Sequence, residues 1–279
     1  MSPEHSLYLD GVLVRAVDLV NGLTIVQIDA VKQVEYFHIE LDSHDILIAN
    51  GTPAESYVDC DNRLMFENGA EYARLQPQDE PPRWTFCAPR LERGDNALTA
   101  IRARLLDRAV AQGHPLSSDP CLRLVVDGAV VHPNSVEGNV YRFALPRGAR
   151  RVCFASRSVV PAEVMADSQD VRRLGVPVER IVLCGDDMRL DIAPDCLSLH
   201  EGFHDSEGSH RWTDGCGALP SQFLTGFFGE TTIDIQVGGT GLHYPLASYT
   251  DPHTVQYPAA LNIVERQGAA LATFGTRRE

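Results

Sequence analysis

The sequence predicts a mostly β chain in two parts. A partial β-fold comes first, followed by a β-sandwich with one helix before it. Short runs of apolar-polar alternation, rich in Val, Ile and Leu, recur along most of the 279 residues. Asp-Gly and Asn-Gly pairs sit between several of these runs, where two-residue hairpins turn. A single long segment, 96–112, places apolar residues at three- and four-residue spacing.

Leu7-Tyr8-Leu9, the turn pair Asp10-Gly11 and Val12-Leu13-Val14 form a hairpin signal. Asp18 to Gly22 reads as a short turn. The β-branched run Leu23 to Ile28 predicts a strand ending at Asp29-Ala30, and Val34 to Leu41 and Ile46-Leu47-Ile48 predict two more, the last closed by Asn50-Gly51. Residues 76–90 hold four prolines, which supply no ladder donor, so the stretch predicts a linker or surface strap. Asp95 then stands as N-cap of a helix over 96–112, stopped by Gly113 and Pro115. Leu98, Ile101, Leu105, Leu106 and Ala109 mark its buried face, with Arg102, Arg104 and Arg108 on the other side. Strand signals return at Leu122–Val126, turn at Asp127-Gly128 into Ala129–Val131, and recur at 141–145, 151–155, 180–183 and 231–237. Residues 266–279 read as a poor packer that frays.

Hydrophobic content of 44% and charged content of 22% suit a globular core, in one large domain or two modest ones. Lys and Arg number 24 against 38 Asp and Glu, a net charge of −14. That balance argues against a nucleic-acid or anionic-membrane partner. No apolar run approaches the length of a membrane span and no leader-like segment opens the chain, so the default location is cytoplasmic, with secretion the alternative if the true start lies upstream. The seven cysteines are scattered, without a CxxC pair, which predicts buried free thiols rather than a dense disulfide framework.

Ser2-Pro3-Glu4-His5, Leu7-Tyr8-Leu9-Asp10-Gly11 and Ala16 to Gly22 follow one another as an ordered series. Val34 to Asp45 (VEYFHIELDSHD) and Ile48 to Tyr57 (IANGTPAESY) continue it. The series resembles the later, C-terminal half of the hedgehog/intein (Hint) self-processing domain in its bacterial form, over about residues 1–68. The resemblance implies an N-to-S or N-to-O acyl shift, in which a Cys or Ser attacks the preceding carbonyl and a histidine protonates the departing amide nitrogen. His5 matches that histidine, and His44 matches a later histidine able to transfer protons. Ser2 stands where a hydroxyl would orient the scissile amide. His38 reads as an ordinary strand histidine. The family places its nucleophile upstream of the His5 motif, so this chain alone implies no cleavage: the missing half is expected upstream or in another chain, or else the gene is a decayed remnant. The His-Asn pair that ends inteins has no counterpart at 51–56, which argues against splicing. Asn50-Gly51 reads as a turn.

The second part carries Leu199 to Glu207 (LHEGFHDSE) and His210 to Gly215 (HRWTDG), resembling β-sandwich modules that accompany bacterial glycosyltransferases and Hint proteins. Trp212 with Glu207, Arg211 and Asp214 has the aromatic-plus-carboxylate make-up of a glycan site. The bland alternative has Trp212 in the core and Arg211 paired with Glu207. His200, Glu201 and His204 satisfy H-E-x-x-H literally, but Gly202 makes a poor zinc helix. Asp186, Asp187, Asp191 and Asp195 read as a solvated acidic loop rather than a calcium site. The expected organisation is thus a Hint half over 1–75, a linker over 76–91, helix plus sandwich over 92–257 and a tail over 258–279. No cofactor or metal is expected. Three functions compete: self-processing by the first part; a binding or structural role for the second, with glycans or surface partners as ligands; and, far behind, metal-dependent hydrolysis by His200, Glu201 and His204.

Overall fold

The computed structural model describes residues 1–28, 34–75, 85–185, 187–246 and 273–277. The chain is mostly β and separates into two compact units, 1–105 with 250–279, and 106–249.

The first unit is built from hairpins. Strands β1 (Ser6–Leu9) and β2 (Val12–Arg15) pair across Asp10-Gly11, both in the left-handed region that a type I′ turn requires. Strand β3 (Glu35–Ile39) pairs antiparallel with residues 273–277, which lie in the expected tail. Strands β4 (Ile46–Ala49) and β5 (Thr52–Glu55) turn at Asn50-Gly51, again with positive φ at both positions. The sheet order is β2-β1-β5-β4. Pro53 faces Ile48 one step from the turn, where a two-residue hairpin has a non-hydrogen-bonded pair, so its missing N–H costs that ladder nothing.

Helix α1 (Ala16–Leu19) replaces the expected turn, and α2 (Gly69–Leu75) and α3 (Asn96–Ala111) follow. Leu98 and Ile101 of α3 bury against Val14 and Leu19. Two details of α3 differ from expectation. Arg102 is buried rather than outward. The Asp95 carboxylate turns back to accept the Glu92 N–H, while its carbonyl accepts from Thr99.

The expected strand at 23–28 does not form. The Asn21 carboxamide oxygen accepts the N–H groups of Leu23, Thr24 and Ile25, which winds the chain into a bend. Residues 89–91, at the end of the expected linker, pair with β2 through Leu13 N–H to Pro89 O and Leu91 N–H to Leu13 O.

In the second unit, β6 (Leu116–Ser117), β7 (Arg123–Val126), β8 (Ala129–Val131), β9 (Ser135–Glu137), β10 (Val140–Leu145) and β11 (Val152–Ala155) come first. The short helix α4 (Pro161–Val164) follows, then β12 (Pro177–Cys184), β13 (Arg189–Ile192), β14 (Phe203–Ser206), β15 (Arg211–Thr213), β16 (Cys216–Leu219), β17 (Thr231–Val237) and β18 (Tyr244–Pro245). One sheet runs β14-β15-β12-β17-β10-β9 with β13 also on β12; another runs β16-β11-β7-β8. β17 (TTIDIQV) alternates strictly between buried and half-buried. Its Ile233, Ile235 and Val237 share one core with Leu124, Phe143, Phe154 and Ile181 from both sheets. Each such side chain contributes about 1.5–3 kcal/mol when fully buried.

Cys153 and Cys216 form a disulfide between β11 and β16, with Cα atoms 6.0 Å apart, which corrects the free-thiol reading for these two. Among the described residues no helix is long and apolar enough to cross a membrane.

Candidate functional site

Four residues far apart in sequence meet at one end of the first unit's sheet. His5 immediately precedes β1, His38 lies on β3, His44 precedes β4, and Glu55 closes β5. The β1–β2 and β4–β5 hairpins bring His5 and Glu55 side by side. Ser56 locks the entry to β4, its N–H donating to Asp45 O at 2.8 Å and its hydroxyl accepting the Asp45 N–H at 2.9 Å. The Tyr57 N–H donates to Ile39 O at 2.7 Å and ties the end of β3 to the same place.

Nε2 of His5 lies 3.0 Å from the main-chain oxygen of Glu55. A carbonyl only accepts, so Nε2 carries a proton and Nδ1 is the nitrogen left for proton exchange. The His38 ring sits 5.5 Å from that of His5, against Phe66 at 5.0 Å and edge-on to Tyr57 at 5.9 Å. Burial pushes the His38 pKa below the ordinary value of 6.5, helped by the neighbouring His5, while Glu55 pulls the other way. The Tyr57 hydroxyl donates to Asn62 Oδ1 at 2.6 Å, and burial raises its pKa.

The Glu55 carboxylate is buried, with 7% of the residue exposed. Its Oε1 accepts the Ser6 N–H at 2.6 Å, and its Oε2 lies 3.5 Å from Nε2 of His44. The His44 side chain is 3% exposed, under the edge of Phe86. Its Nδ1 accepts the Cys87 N–H at 3.0 Å. A half-buried His5 beside two further imidazoles and a buried carboxylate is equipped to hold and deliver protons. The sequence-predicted Ser2 lies in the turn before His5, its carbonyl accepting the His5 N–H at 3.2 Å. Sequence reasoning missed Glu55 and passed over His38. The alternation Val34 to Leu41 did carry a signal for His38, since a histidine two residues from Tyr36 shares its strand face.

Residues 1–61 match the family model of the Hint domain. That match falls on the stretch that holds His5, His38, His44 and Glu55. No curated protein and no solved structure matches the chain.

In the second unit, Trp212 is only 8% exposed and packs with Val159, Val164, Leu174, Leu242 and Tyr244. Arg211 donates to the carbonyls of Cys196, at 3.0 Å, and Leu199. Glu207 pairs instead with Arg172 at 2.9 Å and lies 3.3 Å from His210. The Asp214 carboxylate accepts the Cys216 N–H at 2.8 Å. None of these four lines the cavity of about 850 Å³ that Asp127, Arg150, Arg151, His200, Glu201 and Gln222 border.

His200-Glu201-Gly202 is a turn leading into β14, not a helix. Gly202 has φ +72°, and a Cβ there would meet Cys216 O at 2.0 Å. His204 bonds Arg173 O at 2.7 Å. Asp191 is paired with Arg180, which lowers its pKa; Asp186 lies outside the described residues. Among the described residues no group of three or more His, Cys, Asp or Glu is arranged to hold a metal.

Proposed function

We propose that the first unit is the histidine-bearing part of a Hint-type self-processing centre. In this reading His5 protonates the departing amide nitrogen through Nδ1, and the acyl-shift nucleophile comes from a segment outside residues 1–61, in the same polypeptide or in a partner chain. The attacking Cys or Ser gives its S–H or O–H proton to the bare Nδ1 of His5 as its sulfur or oxygen bonds to the scissile carbonyl, the C–N bond breaks, and the nitrogen leaves with that proton handed on from Nδ1. Alone, residues 1–61 do not carry out this step. The observation that supports the reading is the His5 Nε2 contact with Glu55 O, which leaves Nδ1 as the nitrogen open to proton transfer. For the second unit, the internal engagement of Trp212, Arg211 and Asp214 supports a structural module over a glycan binder.

The test is to supply a Hint first half beginning with Cys ahead of the full chain, behind a reporter domain, and follow intact mass. Cleavage at the Cys, abolished in His5→Ala, is the expected result. A folded fusion that stays intact, or cleaves as fast with His5→Ala, overturns the reading.

A further inference from the structure

We propose that Glu55 is the positioning residue of the histidine centre, setting His44 through its carboxylate and His5 through its main-chain carbonyl. It deepens the self-processing reading, on which only the rate measurement below rests. A buried carboxylate is expensive, and a neutral residue of similar size would fill the same space at lower cost. Here each acceptor of Glu55 has an assigned neighbour: Ser6 N–H at 2.6 Å on Oε1, His44 Nε2 at 3.5 Å from Oε2, and His5 Nε2 at 3.0 Å on the carbonyl.

His44 is held from both sides. A main-chain N–H only donates, so the contact from Cys87 makes Nδ1 the bare nitrogen of the neutral ring. The ring proton is then on Nε2, facing Glu55 Oε2 at 3.5 Å, and neither of those two buried atoms has a hydrogen-bond partner among the described residues, so each is the other's nearest polar complement. A carboxylate facing an imidazole N–H favours that tautomer and sets the direction of the ring, the role of the orienting third member in acid–base centres. Because the same residue seats His5, a displacement of Glu55 moves both rings at once.

Long-range ¹H–¹⁵N spectra of the full chain with labelled histidine read the tautomer directly, at a pH where the ring is neutral. The expected wild-type result is His44 protonated at Nε2, with a mixture of tautomers in Glu55→Gln and recovery toward the wild-type pattern in Glu55→Asp. In the nucleophile-supplied fusion, Glu55→Gln is expected to slow cleavage roughly tenfold to a hundredfold. A wild-type His44 protonated at Nδ1, a tautomer unmoved in folded Glu55→Gln, or an unchanged cleavage rate overturns the proposal. If Glu55→Gln does not fold, the wild-type and Glu55→Asp spectra decide. If even the wild-type fusion stays intact, the self-processing reading falls and the spectra still judge Glu55.

Discussion

His38 couples the candidate site to stability. Its folded pKa lies below the ordinary 6.5, so between the two values the unfolded chain binds more protons than the folded one. Stability is therefore fully present above 6.5 and is lost as pH falls through the folded value. Urea unfolding across that window is expected to show stability rising with pH, and His38→Phe to flatten that rise. A slope unchanged by the substitution removes His38 as its source. Tyr244 offers a second residue-scale test. It is fully buried, donates to Gly175 O at 2.6 Å, and burial pushes its pKa up to about 12. Tyr244→Phe leaves that carbonyl unpaired and should cost about 1–3 kcal/mol in denaturant melts. At this scale the sequence showed residue types but not partners. His5 and His44 were legible because they sit in an ordered motif series. Glu55 was not, because its importance lies in contacts with residues 11 and about 50 positions away, and no local pattern encodes those.

Hairpins were the most legible elements, since Asp10-Gly11, Asn50-Gly51 and Asp127-Gly128 supply the positive φ their turns need. Asp127 does more than turn: its carboxylate accepts the Arg150 and Arg151 N–H groups and pins the neighbouring connection. The run at 23–28 misled because β propensity there loses to one Asn side chain that satisfies three successive N–H groups. β14 and β15 went unpredicted, as edge-region strands three or four residues long carry little alternation. The turn ahead of β14 makes the sharpest element-scale prediction. Gly202→Ala puts a Cβ against Cys216 O in a left-handed conformation, so it should cost about 3 kcal/mol or more in denaturant melts. A near-neutral result would mean that this turn is not as described.

At the scale of the whole molecule, the mostly β class and the long helix α3 were legible from periodicity, whereas the disulfide was not. Cysteines 63 residues apart become neighbours only once β11 and β16 pair. Replacing both with Ser should lower the stability of the second unit by roughly 2–4 kcal/mol, and dithiothreitol should reproduce the loss in the wild type but leave the double variant unchanged.

The two hairpins of the first sheet meet at a single registered pair, Leu7 with Ala54, reinforced by Ser6 and His5 on Glu55. Within each hairpin, by contrast, four residue pairs are in register. The seam is thus the weakest line in the sheet, and amide hydrogen exchange should show each hairpin opening as its own cooperative unit. Such a breathing motion separates His5 from His44 without unfolding either strand pair. A segment that binds across the seam would close it and assemble the histidines in the same event.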